Sequence, residues 1–142
     1  MIRRKIQKIL VPLDGSKSSF RGLDEAIYIA RQCGSTIIGL HAISIYPRNW
    51  SDLVNPLKTK LFQDAEKLMD KAEIISAQNG IVFRKKIVYG DPKLSIMGFV
   101  RGHAFDLVVM GTHGFGPVKE VFLGSVSTAV LHKSKIPVLI VK

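Results

Sequence analysis

The chain alternates between two kinds of apolar pattern from end to end. Lys8-Ile9-Leu10-Val11-Pro12-Leu13 is a compact apolar run closed by the turn-forming Asp14-Gly15-Ser16, which predicts a first strand. Beyond it Phe20, Leu23, Ala26, Ile27, Ala30 and Cys33 recur at spacings of three or four, giving one apolar helical face that stops at Gly34. The β-branched run Thr36-Ile37-Ile38 then begins a second strand that reaches Ile43. After Ser44–Val54, expected to be a mobile loop, a longer helix starts at Asn55-Pro56. It carries Leu57, Leu61, Ala65, Leu68, Ala72 and Ile75 on one face, and Gly80 stops it.

The same alternation continues through the second half. Ile81–Tyr89 predicts a third strand, and its Arg84-Lys85-Lys86 suits a sheet edge because charges set into a strand discourage pairing with other chains. Asp91-Pro92 supplies an N-cap and a first-turn proline for a helix running to Arg101. Phe105–Met110 is apolar on both faces and predicts an interior strand. A last helix follows from Ser125 to Lys133, with His132 and Lys133 at its negative end, and Ile136–Val141 is the fifth strand. Strands and helices in strict alternation predict an α/β fold built on a parallel sheet. If the last strand lies at an edge, Pro137-Val138-Leu139-Ile140-Val141 is too apolar to stand alone there. Pairing with the same strand of a second copy would cover it through a two-fold contact, so a homodimer is expected.

Composition narrows the class of protein. With 142 residues, 46% of them hydrophobic and 23% charged, the chain fits a single globular domain, residues 1–142, that buries its own core. Its one cysteine, Cys33, cannot form an internal disulfide, which suits a reducing compartment. The basic start Met1-Ile2-Arg3-Arg4-Lys5 is not followed by a signal-peptide pattern, and the longest apolar stretches are far too short to span a bilayer. A cytoplasmic protein without a membrane partner is expected. Lys and Arg number 21 against 11 Asp and Glu, a net charge of +10 that would attract polyanions. These cations are scattered over Arg3-Arg4-Lys5, Arg84-Lys85-Lys86 and Lys133–Lys135, with no recognition-helix, aromatic RNA-binding or zinc-finger pattern. Nucleic acid is therefore not the expected partner.

The candidate chemistry lies after the fourth strand. Gly111-Thr112-His113-Gly114 is followed by nine residues and then Gly124-Ser125. There is no Gly-x-x-x-x-Gly-Lys-Ser/Thr, so this is not a P-loop, and no dinucleotide fingerprint follows the first strand. Gly124-Ser125 lies where a helix begins, however, and there free amides, a hydroxyl and the positive dipole end can receive a phosphate. Such a nest needs no side-chain charge.

Gly111-x-x-Gly114-(nine residues)-Gly124-Ser125, preceded by Lys8–Asp14 and followed by Ile136–Val141, closely resembles the ATP-binding branch of the universal stress protein family, over essentially the whole chain. The resemblance implies an open five-stranded parallel sheet in the order 3-2-1-4-5 with helices on both faces, a homodimer, and ATP as ligand. In that order strands one and four are neighbours whose connections leave in opposite directions, opening a crevice at their carboxyl ends. The resemblance puts Pro12, Leu13 and Asp14 on the adenine and ribose side, with Asp14 accepting from the nucleoside or else capping the turn into the first helix. Ala42 falls at an adenine-contacting position commonly held by valine. Met110 and Gly111 would lie beside the ribose, and His113, Gly114, Gly124, Ser125, Val126 and Ser127 around the phosphates. His113 could donate to phosphate or only shape the turn; Ser127 could instead bond the backbone.

Other residues carry less. His41 is expected to be a packed or partly exposed strand residue, and His103 and His132 lie at helix ends. No His, Cys, Asp or Glu residues fall at metal-ligand spacing, so Mg2+ or Mn2+ would be held by ATP phosphates and water. The expected function is an ATP-binding regulator of the stress response, a dimeric switch acting on a protein partner the sequence does not name. The alternative is a slow ATPase or phosphotransferase. Beyond His113, Ser125 and Lys119 there is no candidate base near the glycines, and Thr112-His113-Gly114-Phe115 does not reproduce the His-x-Gly-His of nucleotidyltransferases.

Overall fold

The computed structural model describes residues 5–44, 55–115 and 122–142. Five strands, β1 (Lys8–Pro12), β2 (Thr36–Ile43), β3 (Phe83–Tyr89), β4 (Leu107–Gly111) and β5 (Val138–Val141), form one parallel sheet in the order β3-β2-β1-β4-β5. Between them run α1 (Lys17–Cys33), α2 (Asn55–Gln78), α3 (Pro92–Gly102) and α4 (Ser125–Lys133). This is the expected order, with helices on both faces. Of the expected loop Ser44–Val54, residues 45–54 lie outside the described residues, as do Lys119 and the side chain of Leu57.

The centre of the sheet is apolar on both faces because both faces are covered. Ile9, Val11 and Leu13 pack with Leu23, Ala26, Ile27 and Ala30 of α1 and with Met69 and Ala72 of α2. Leu10 points the other way, toward Ile96, Met97 and Val100 of α3 and Val130 of α4. Strand alternation thus divides one short run between two cores, each such side chain contributing about 1.5–3 kcal/mol on burial.

The helix signals act as their chemistry predicts. Ser16 caps α1 by accepting the Ser19 amide, Gly34 ends it in the left-handed conformation, and Asp91 accepts the Leu94 amide ahead of Pro92. The strand boundaries are tighter than the apolar runs. β3 starts at Phe83 rather than Ile81 because the Ile81 amide still bonds the Ser76 carbonyl at the end of α2. β4 starts at Leu107 rather than Phe105, whose amide still bonds the His103 carbonyl, and the Asp106 carboxylate accepts the Gln7 and Lys8 amides at the entry to β1.

β3 and β5 form the two edges, as expected. Along β3 the three cations separate. Arg84 and Lys86 are exposed, while Lys85 lies on the α2 side, bonded to Asp70 and 3.6 Å from Glu66. The hydrogen bond to Asp70 holds the Lys85 ammonium above its ordinary pKa; desolvation opposes it, and the charges of Asp70, Glu66 and Glu73 add to the rise. No helix among the described residues is long and apolar enough to cross a membrane.

Candidate functional site

A cleft of about 710 Å3 opens at the carboxyl ends of β1, β2 and β4. All twelve residues singled out in the sequence border it. They come from four separate segments: Pro12, Leu13 and Asp14 at the end of β1, Ala42 on β2, Met110, Gly111, His113 and Gly114 at the end of β4 and just beyond it, and Gly124 to Ser127 at the start of α4. Leu13 and Met110 belong mainly to the two cores and expose little surface to the cleft.

The β1 side is set by a tight turn. Gly15 adopts a φ of +90°, available to glycine at little cost, and this lets Asp14 Oδ1 accept the Ser16 amide at 2.9 Å. Asp14 therefore does cap the turn into α1, but with one oxygen only. The other oxygen stands beside Gly114, where any β-carbon would fall on it. The loops after β1 and β4, a hundred residues apart in sequence, meet at this point.

The β4 side is set by a close approach of α1. A β-carbon on Gly111 would collide with the hydroxyl and carbonyl of Ser18, and one on Gly22 would stand 3.0 Å from the Gly111 nitrogen. Ser18, only 2% exposed, accepts the Thr112 amide through its hydroxyl at 2.9 Å and so fixes where the strand turns into the loop. Ser18 escaped the sequence reading. The available signal was the pair of small residues Ser18 and Gly22 one helical turn apart on the buried face of α1.

The two glycine pairs are joined directly. The Gly124 amide donates to the Thr112 carbonyl at 2.8 Å, so this amide is spent on the fold rather than offered to a ligand. Gly124 is also the N-cap of α4 and has no side chain with which to cap it. The positive end of α4 consequently opens at the cleft with Ser125 exposed. Ser127 behaves differently from Ser125. Its hydroxyl is buried and donates to the Gly111 carbonyl at 3.0 Å, which holds α4 against the end of β4.

The remaining walls were not foreseen. Leu61, Asp64, Ala65 and Leu68 of α2 close one side, and Pro92 and Ile96 of α3 another. The apolar periodicity of α2 identifies a buried face but not that its first half faces a cleft. His41 lines the cleft as well, and its Nδ1–H donates to the Leu13 carbonyl at 2.7 Å, tying the end of β2 to the end of β1. Two carboxylates, Asp14 and Asp64, and two imidazoles, His41 and His113, supply the titratable groups; no Lys or Arg lies among the described lining residues. The arrangement suits a ligand with an apolar, planar part between β1, β2 and α2 and an anionic part at the start of α4.

The model of the universal stress protein family matches residues 5–142. The chain belongs to this family. Universal stress protein MJ0531 of Methanocaldococcus jannaschii is 27% identical over 143 residues, covering 96% of this chain and 82% of that protein. The solved structure of MJ0577, from the same organism, has 31% identity and a TM-score of 0.86, covering 98% of this chain and 97% of the other. A universal stress protein solved in complex with cAMP has 26% identity and a TM-score of 0.73, covering 98% and 99% of the two chains. The strand order and the layers of helices are those of a universal stress protein, and a relative of this fold binds an adenine nucleotide.

Proposed function

We propose that this universal stress protein binds ATP in the carboxyl-end cleft and acts as a nucleotide-dependent regulator rather than as an efficient enzyme. The adenosine lies against Pro12, Leu13, Asp14 and Ala42, with Met110 and Gly111 beside the ribose. His113, Gly114, Gly124, Ser125 and Val126 surround the phosphates, while Ser127 supports them through Gly111. The observation that carries this reading is the meeting of an uncapped helix N-terminus with a glycine turn pressed against Asp14, in one cleft of about 710 Å3. The relative in complex with cAMP supports the choice of an adenine nucleotide.

The described groups at the start of α4 are glycines, hydroxyls and one imidazole, which suit holding a phosphate more than transferring it. Phosphoryl transfer needs fixed charge on the transferring group as well as a positioned base. Any Mg2+ or Mn2+ would enter on the ATP phosphates. As a switch the protein acts by binding nucleotide more tightly in one of two states, and a homodimer paired through β5 in the cytoplasm supplies the second state's interface. Leu139, 36% exposed on that edge strand, supports this contact.

Mass spectrometry of ligand released from freshly purified protein tests the reading directly, and an adenine nucleotide is expected. Equilibrium dialysis with millimolar ATP and magnesium that showed no binding would end it. Light scattering should give a dimer at micromolar concentration; a monomer would remove β5 from the mechanism. Repeated turnover of ATP, lost on Gly114→Val, would replace regulator with enzyme.

A further inference from the structure

We infer that Ser18 and Thr112 form a directed hydrogen-bond relay that leaves His113 Nδ1 accepting and Nε2–H as a donor to an anionic group in the cleft. The direction follows from counting protons on three side chains. Ser18 Oγ accepts the Thr112 amide at 2.9 Å and, more weakly, the His113 amide at 3.4 Å. Its own hydrogen is buried and has to be donated. Among the described residues the acceptor within reach is Thr112 Oγ1, at 3.3 Å. Thr112 Oγ1 thus receives from Ser18 and turns its own hydrogen toward His113 Nδ1, 2.9 Å away.

A nitrogen that accepts a hydrogen bond carries no proton, so the ring proton resides on Nε2. The reverse direction would have Nδ1–H donate to Thr112 and the Thr112 hydroxyl donate to Ser18. That would load a third donor onto Ser18 Oγ and strand its hydroxyl hydrogen in the core. In the remaining arrangement Thr112 Oγ1 accepts from both Ser18 and Nδ1–H, which leaves the Thr112 hydrogen with no acceptor among the described residues. Ser18 and Thr112 are therefore positioning residues, and His113 is the group that meets the ligand. The choice of a nucleotide phosphate as the anion rests on the function proposed above; the tautomer does not.

Ring-nitrogen NMR of the full chain at about pH 8.5, where imidazole is neutral, tests the relay, with the His113 signals assigned by their loss in His113→Gln. Wild type and Thr112→Ser should both show a protonated Nε2 and an unprotonated Nδ1. Thr112→Val keeps the backbone amide bonded to Ser18 but removes the relay, and should show a mixture of tautomers. Affinity for ATP in Thr112→Val should fall roughly three- to tenfold while affinity for adenosine stays unchanged. A protonated Nδ1 in wild type would overturn the relay without any variant, as would an unaltered tautomer in Thr112→Val. Equal losses for ATP and adenosine would overturn the donor role. A wild type with the Nε2–H tautomer and no affinity for ATP would sink the nucleotide reading and leave the relay standing.

Discussion

At the amino end of the sheet, Lys5, Lys8 and Arg84 border a recess of about 520 Å3, with Asp106 beside them. At the carboxyl end, the larger cleft has no lysine or arginine among its described lining residues and instead presents glycines, small hydroxyls and the start of a helix. The two ends handle their charged groups in opposite ways. Asp106 is satisfied by the Gln7 and Lys8 amides, and the Lys8 ammonium lies 5.1 Å from the centre of the Phe105 ring. Lys5 and Arg84 are exposed, where salt screens them, while Lys8 is half-buried beside Phe105. At the other end partial charges on the backbone are held by packing and cannot move away. A net charge of +10 therefore says little about where this protein would hold an anion.

The largest test of this contrast is Gly114→Val, which drives a side chain onto the Asp14 carboxylate. ATP affinity measured by calorimetry should fall by about 100-fold, roughly 2.7 kcal/mol, with far-UV circular dichroism unchanged. Gly124→Val should lose a similar amount, because its β-carbon would stand 3.1 Å from the His113 Cα. If both variants bind like wild type, the carboxyl end is not the site.

Ser18→Ala comes next. It strips the Thr112 amide of its buried acceptor and should cost about 1–3 kcal/mol in urea unfolding. Increased amide exchange should then be concentrated at residues 111–114, and a uniform increase would show that Ser18 supports the whole domain rather than this end of it. Asp14→Ala should weaken nucleotide binding roughly tenfold through loss of a charged acceptor. Replacing Lys5, Lys8 and Arg84 together by Gln should alter ATP affinity less than about twofold at 0.15 M salt. A larger loss would move the anion site toward the amino end.

The smallest effect concerns Lys85, next to Arg84 in sequence but on the opposite face of β3. The bond to Asp70 raises its pKa above 10.5, so its contribution is fully present below that value and is lost as pH rises through the folded-state pKa. Urea midpoints of wild type and Lys85→Met should differ slightly at neutral pH and converge at strongly alkaline pH. A constant difference would assign the effect to packing.

Much of this was legible in the chain itself. Spacings of two, three and four residues, together with Gly34, Asp91-Pro92 and Gly124-Ser125, define strands, helices and caps because those signals act within one turn of backbone. The family resemblance carried the strand order and the twelve cleft residues. Their mutual bonds were not legible. That Gly124 spends its amide on Thr112, that Ser127 bonds Gly111, and that His41 bonds Leu13 are all facts about pairs distant in sequence.

Local pattern alone determined that five strands would alternate with helices and that small residues would follow β4. Tertiary structure decided which atoms those small residues would meet. Ser18 and Thr112 are 94 positions apart, and nothing in a helical periodicity marks one buried hydroxyl as the partner of a particular amide. Hydrophobic burial sets the elements with no regard to direction, whereas a hydrogen bond demands a distance and an angle, and those exist only once α1 has packed against β4.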